Sequence, residues 1–244
     1  MAMQTTSLPT AQKVPIGCDG EWGRDGHFTI FGFAWETDKL RAVAVPWQKY
    51  QKHIEAILAD APEIIGHNWH AADLRQIAKE GVRVEELEKK VFDTMLAAHC
   101  VWPHLAGIGS YDIRSTVLLV GAQRGQNFPL DWKDYAGDIF KTCREDAAAA
   151  LWCAAPLKRL ISAYGVEKTA ELSHKVAPMF ARMTERGVKL DTSILEEIHH
   201  ERKNKVAEII AKYGLTEQRG KKKIRHIPIW RSNKVLDKFE SLFG

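Results

Sequence analysis

Three short apolar runs open the chain, Ile16 to Trp22, His27 to Trp35 and Leu40 to Val45, separated by the polar turns Arg24-Asp25-Gly26 and Thr37-Asp38-Lys39. Runs of this length, rich in β-branched and aromatic residues and bounded by turn formers, predict an antiparallel meander. From Lys49 to Ala59 the period lengthens, because Ile54, Ile57 and Leu58 share a helical face, and Glu63-Ile-Ile-Gly then predicts a short strand. A helix crossing between strands implies parallel pairing, so the sheet is expected to be mixed. A further helix is predicted from about Ala71 to Glu80, ended at Gly81, and Val91 to Thr94 predicts a last strand leading into a helix through Met95 to Val101. Ile113 to Val120 reads as helix. Beyond Phe140 the pattern is helical almost throughout, over Ala147 to Ala163, Leu172 to Arg186 and Ser193 to Lys212. This change places an expected boundary near Leu157, with an α/β domain over 1–157 and an all-helical extension over 158–244.

Composition narrows the class. At 244 residues and 45% hydrophobic, the chain is long enough for one full α/β core and a smaller appendage. It has no apolar run of about 18 residues and no charged-then-apolar leader, so the expected setting is the cytoplasm, without a membrane; a monomer is expected. Cys18, Cys100, Cys143 and Cys153 lack metal-ligand spacing and are expected to be small buried hydrophobes. The net charge is only +4, yet Arg219, Lys221, Lys222, Lys223, Arg225, Arg231 and Lys234 crowd one stretch. Such density attracts the phosphate backbone of nucleic acid by counterion release, although a solvated basic loop reads the same way.

Asp19 and Glu21 end the first apolar run at i and i+2, so one face of a strand carries both carboxylates. Like charges held that close favour a cation between them, and hard divalent ions such as Mg²⁺ or Mn²⁺ prefer oxygen ligands. Alone, the pair also fits a solvated turn. Asp73 follows Ile65-Gly-His-Asn-Trp-His, where an apolar strand gives way to a helix, and Asp146 precedes the run Ala147 to Ala150 in a long helix whose narrow flank allows close approach to the first strand. The four carboxylates can therefore converge. Two divalent cations bridged by such a set clamp the attacking and leaving oxygens of a phosphoryl displacement. Asn68 either contacts substrate or caps the helix that follows, and His67 and His70 are expected to be satisfied structural histidines.

Asp19-x-Glu21, Asn68 with Asp73 downstream, and Asp146 before its helix resemble the three exonuclease motifs of the DEDD superfamily, in order. Leu172-Ser-His-Lys-Val-Ala-Pro-Met-Phe-Ala-Arg-Met-Thr-Glu-Arg-Gly-Val-Lys-Leu-Asp resembles the segment joining proofreading and polymerase domains in family A DNA polymerases, the DNA polymerase I type, and Ile229-Trp230-Arg-Ser-Asn-Lys-Val-Leu is similar to the stretch after the thumb. The resemblance implies a ribonuclease H-like mixed sheet with flanking helices, followed by the beginning of a thumb. It also implies a 3′–5′ exonuclease acting on single-stranded DNA ends. In it Asp19, Glu21 and Asp146 hold the cation that activates water, and Asp19 and Asp73 serve a second. Asn68 would touch the strand end, while Lys221, Lys222, Lys223 and Arg225 would meet duplex DNA. Because the sequence stops at Gly244, before the family's nucleotide-binding and palm motifs, no polymerase activity is expected of it.

One position departs from the pattern. Where the tyrosine branch of the superfamily has a water-orienting tyrosine four residues before the last aspartate, this chain has Thr142, and where the histidine branch has its base the chain has Lys141. A group of that kind contributes about 10²- to 10⁴-fold, so the alternative is a catalytically weak or inactive DNA-binding domain. A third reading, an RNA-trimming nuclease, is disfavoured by the polymerase-like helices after Leu172.

Overall fold

A computed structural model describes residues 14–105, 111–129 and 138–213. β1 (Ile16–Trp22), β2 (Phe28–Glu36) and β3 (Leu40–Pro46) form the meander. α1 (Trp47–Asp60), β4 (Ile64–Gly66), α2 (Asp73–Lys79), the single turn α3 (Glu85–Glu88), β5 (Val91–Asp93) and α4 (Thr94–Val101) follow. The helices α5 (Ile113–Arg124), α6 (Ile139–Ala163), α7 (Glu167–Arg186) and α8 (Thr192–Tyr213) complete the described chain. The strand order is β3-β2-β1-β4-β5, antiparallel across β3, β2 and β1 and parallel from β1 through β4 to β5. The expected mixed sheet flanked by helices is observed.

Aromatic and aliphatic residues of β2 supply the centre of the core. Phe31, Phe33, Trp47, Ile54, Leu58, Ile64, Trp69 and Ile77 are almost wholly enclosed and pack α1 and α2 on one face of the sheet. Phe28 stacks on Trp47 with centroids 4.8 Å apart. On the other face the small residues of α6 meet Ala34, Ala42 and Ile65, giving helix, sheet and helix layers around the strands.

Burial of α6 decides how close Asp146 comes to β1. A Cβ at Gly17 would lie 2.2 Å from the carbonyl oxygen of Ala147, and one at Gly32 would lie 2.6 Å from that of Cys143. No side chain fits at either position, so two glycines of adjacent strands let the helix backbone settle on the sheet. Ala147, Ala148, Ala149 and Ala150 are buried there as expected. The helix begins at Ile139, ahead of the expected Ala147, because Asp138 caps it by accepting from the Lys141 N–H at 3.0 Å.

The expected boundary between 157 and 158 falls inside α6, whose buried Cys153, Leu157 and Ile161 continue one apolar stripe. By contacts the chain divides instead into units 1–186 and 187–244; α7 belongs to the first and α8 to the second. Among the described residues no helix is long and apolar enough to cross a membrane. Lys221, Lys222, Lys223 and Arg225, with the rest of the basic cluster, lie outside the described residues.

Candidate active site

β1, β4 and β5 run parallel, and the acidic residues gather at the carboxyl ends of these strands, where open α/β sheets place their ligands. Asp19 sits opposite Gly32 and Glu21 opposite Ile30 in the β1–β2 ladder, so both side chains leave the α6 face of β1. Asp146 descends from that same layer. Asp73 opens α2 in the opposite layer and reaches the end of β1 from the other side, where a Cβ at Gly20 would lie 2.8 Å from Asp73 Oδ1. Glycine at position 20 makes room for the carboxylate.

The four acids feel one another. Burial, reinforced in turn by Asp73, Asp146 and Glu21, holds the Asp19 carboxyl well above the usual carboxylate range, against the opposing pull of Cys143. Burial likewise lifts Glu21, and it lifts Asp73 strongly, with Asp93 and Glu21 adding to the effect against the opposing pull of the Asp73 and Gly20 backbone N–H groups. Asp73 is 3% exposed, and its Oδ1 is buried without a hydrogen-bond partner. Among the described residues no three His, Cys, Asp or Glu side chains are grouped tightly enough as placed to hold a metal ion. The donor set is nonetheless all oxygen, contains an orphaned buried carboxylate oxygen, and is short of positive charge, a composition that fits a hard divalent cation.

Thiols enter only as packing. Cys143 is buried and donates to the Asp19 carbonyl at 3.4 Å, and burial together with Asp19 raises its pKa well above the ordinary thiol value. Cys18, on the other side of β1, is likewise held as a neutral thiol.

The hydroxyl of Thr142 donates back to the Asp138 carbonyl at 3.2 Å, so the side chain in the water-orienting position is occupied within its own helix. Asn68 does not cap α2, whose N-cap position is Ala72 and carries no side-chain cap. Instead Asn68 adopts φ 58, an unusual left-handed conformation for a residue with a side chain.

That conformation is held by a carboxylate to which the sequence pattern assigned no role. Asp93 ends β5 and caps α4, accepting from the Met95 N–H at 3.0 Å and the Leu96 N–H at 3.4 Å. Its two oxygens also take the backbone N–H of Asn68 at 3.0 Å and of His70 at 3.3 Å. The Asp93 N–H in turn donates to His174 Nε2 at 2.9 Å, while His174 Nδ1–H donates to the Ala170 carbonyl at 2.8 Å. Thus α7 is tied to the turn that carries Asp73. An aspartate between an apolar strand and a helix is an N-cap signature, and that signal was present in Val91-Phe-Asp-Thr.

The two histidines differ. His67 Nε2–H donates to the Tyr111 carbonyl at 2.7 Å and Nδ1 lies 2.9 Å from the Thr94 hydroxyl, so it is the satisfied structural residue expected. His70 is 3% exposed and neither ring nitrogen has a partner, which corrects the expectation for that residue. Its neighbours come from α3 and α7, far along the chain.

No protein-family model matches the chain, and no curated protein matches it.

Proposed function

We propose that this chain is a metal-dependent 3′–5′ exonuclease acting on single-stranded DNA ends, built on a ribonuclease H-like fold and related to the proofreading part of DNA polymerase I-type enzymes. One observation carries the reading: all three other acids, Asp73, Asp146 and Glu21, oppose ionisation of Asp19, so carboxylates from β1, α2 and α6 share one electrostatic site. Buried repulsion of this kind is costly to keep unless a cation relieves it.

Asp19, Glu21, Asp73 and Asp146 would hold divalent cations, Mg²⁺ or Mn²⁺, which supply charge neutralisation and lower the pKa of bound water. Asp19 feels the charge of both Asp73 and Asp146, which supports its serving two cations. Gly17, Gly20 and Gly32 fix the spacing by letting backbone and carboxylate approach β1 and β2 without an intervening side chain. Asn68 stands at the strand end, in a turn pinned by Asp93, where it can meet the sugar-phosphate of a bound strand.

A second reading, a nuclease-like domain that binds DNA with little turnover, is favoured by the Thr142 hydroxyl being engaged with Asp138 rather than available to orient water. Incubation with end-labelled single-stranded DNA and RNA in Mg²⁺, Mn²⁺ or chelator separates the readings. Shortening of DNA from its 3′ end only with metal supports the exonuclease. DNA binding without shortening supports the second reading, and faster shortening of RNA would overturn the DNA assignment.

A further inference from the structure

We propose that the cavity between α7 and the turn from Asn68 to Asp73 receives one nucleotide unit of the DNA strand, its base lying against Phe180 and meeting the His70 imidazole. The proposal rests on the exonuclease reading and adds to it a binding site contributed by α7.

The cavity measures about 340 Å³ and is lined by Asn68, His70, Arg75, Met95, Leu96 and Phe180, among others. That volume is near the lower end of the ~300–1,000 Å³ range of ligand pockets, and far too small for a duplex. Its walls are mainly apolar with a few polar groups, the composition that suits a flat ring with hydrogen-bonding edges. Phe180 is 56% exposed, as a stacking platform must be.

His70 supplies the decisive anomaly. An imidazole that is 3% exposed with two unpartnered nitrogens carries a desolvation penalty that nothing in the protein offsets. Its backbone is fixed by Asp93. Burial lowers its pKa, so the neutral ring presents one donor and one acceptor, as the edge of a base requires. The titratable groups acting on it are Asp93, His174 and Glu88, none of the four carboxylates, so His70 is not the missing water-orienting group. Nor is it half of a histidine metal pair, since both His174 nitrogens are engaged.

Arg75 lines the same cavity with its Nε buried and unpartnered, offering a cation for the phosphate of the seated unit. The turn that forms one wall of the cavity ends at Asp73, so base and scissile phosphate would be held by opposite ends of one pinned segment.

The test measures binding of fluorescein-labelled hexathymidylate to the full chain in chelator, by anisotropy, alongside steady-state hydrolysis of single-stranded DNA in Mn²⁺. Phe180→Ala should weaken binding by about 5- to 100-fold, the range for a lost base–aromatic stack, and raise KM with kcat unchanged. Arg75→Gln should weaken binding while also flattening its salt dependence. The side-chain ¹⁵N resonances of His70 should shift on saturation with hexathymidylate in the wild type and not in Phe180→Ala. Binding unaltered by both substitutions, with hydrolysis intact, overturns the pocket and leaves the exonuclease reading standing. Phe180-dependent binding without hydrolysis in any metal supports the pocket and sinks the exonuclease reading. No binding of the oligonucleotide overturns the pocket outright.

Discussion

Gly17 and Ala147 touch backbone to backbone: a Cβ on the first would lie 2.2 Å from the carbonyl oxygen of the second, one residue beyond Asp146. This contact sets the separation between the strand bearing Asp19 and the helix bearing Asp146. Gly17→Ala should force α6 away from β1, lower stability by about 3 kcal/mol, and depress metal-dependent hydrolysis even in the folded fraction. Thermal unfolding and hydrolysis measured below the transition check it. An alanine variant as stable and active as the wild type would show that the helix can shift without disturbing the site.

Asp73→Asn tests the repulsion directly. The folded-state pKa of Asp73 lies well above its unfolded value, so the folded chain binds the extra proton more tightly, and stability falls as pH rises from about 4 through the raised folded value. In chelator at pH 7 the asparagine variant should therefore be the more stable by about 1–3 kcal/mol, with the difference closing below about pH 4. Added Mn²⁺ should stabilise the wild type more than the variant, which keeps Asp19, Glu21 and Asp146 for one ion and loses Asp73 for the second. Scanning fluorimetry across pH reads all three; a variant less stable than wild type at pH 7 in chelator would contradict the assignment.

Asp93→Ala should remove the cap of α4 and leave the N–H groups of Asn68 and His70 unpaired, at a cost of about 2–4 kcal/mol. Asp93→Asn keeps an acceptor oxygen and should recover part of that loss. Hydrogen exchange at Asn68 and His70 gives a local readout, and unchanged protection in Asp93→Ala would show that the turn is held by other means.

Thr142→Tyr should accelerate DNA hydrolysis by about 10-fold or more, by placing a hydroxyl where Thr142 spends its own on Asp138. Steady-state rates in excess Mg²⁺ decide it. A wild type already as fast as the variant would mean that another residue orients the water.

Much of the site could be read along the chain because its acids lie on elements whose pattern is strong. β1 runs from Ile16 to Trp22 as its apolar run and flanking turn predict, which puts Asp19 and Glu21 on one face, and the alanine run flags the helix α6 that carries Asp146. What pattern did not reveal are relationships between distant segments. The hydrogen bond from Asp93 to His174 spans 81 positions, and the orphaned imidazole of His70 depends on what α3 and α7 leave beside it. Gly17 and Gly32 look like strand weaknesses until the helix that needs their bareness is in place. The short α3 lacks the length at which a helical period becomes visible.

The central claim is that Asp19, Glu21, Asp73 and Asp146 form one divalent-cation site, and a Mn²⁺ titration followed by electron paramagnetic resonance tests it most directly. The wild type should take up about two Mn²⁺ per chain. Asp19→Ala should abolish uptake, and Asp146→Ala should remove at least one ion. Uptake absent from the wild type, or unchanged in Asp19→Ala, would contradict the account.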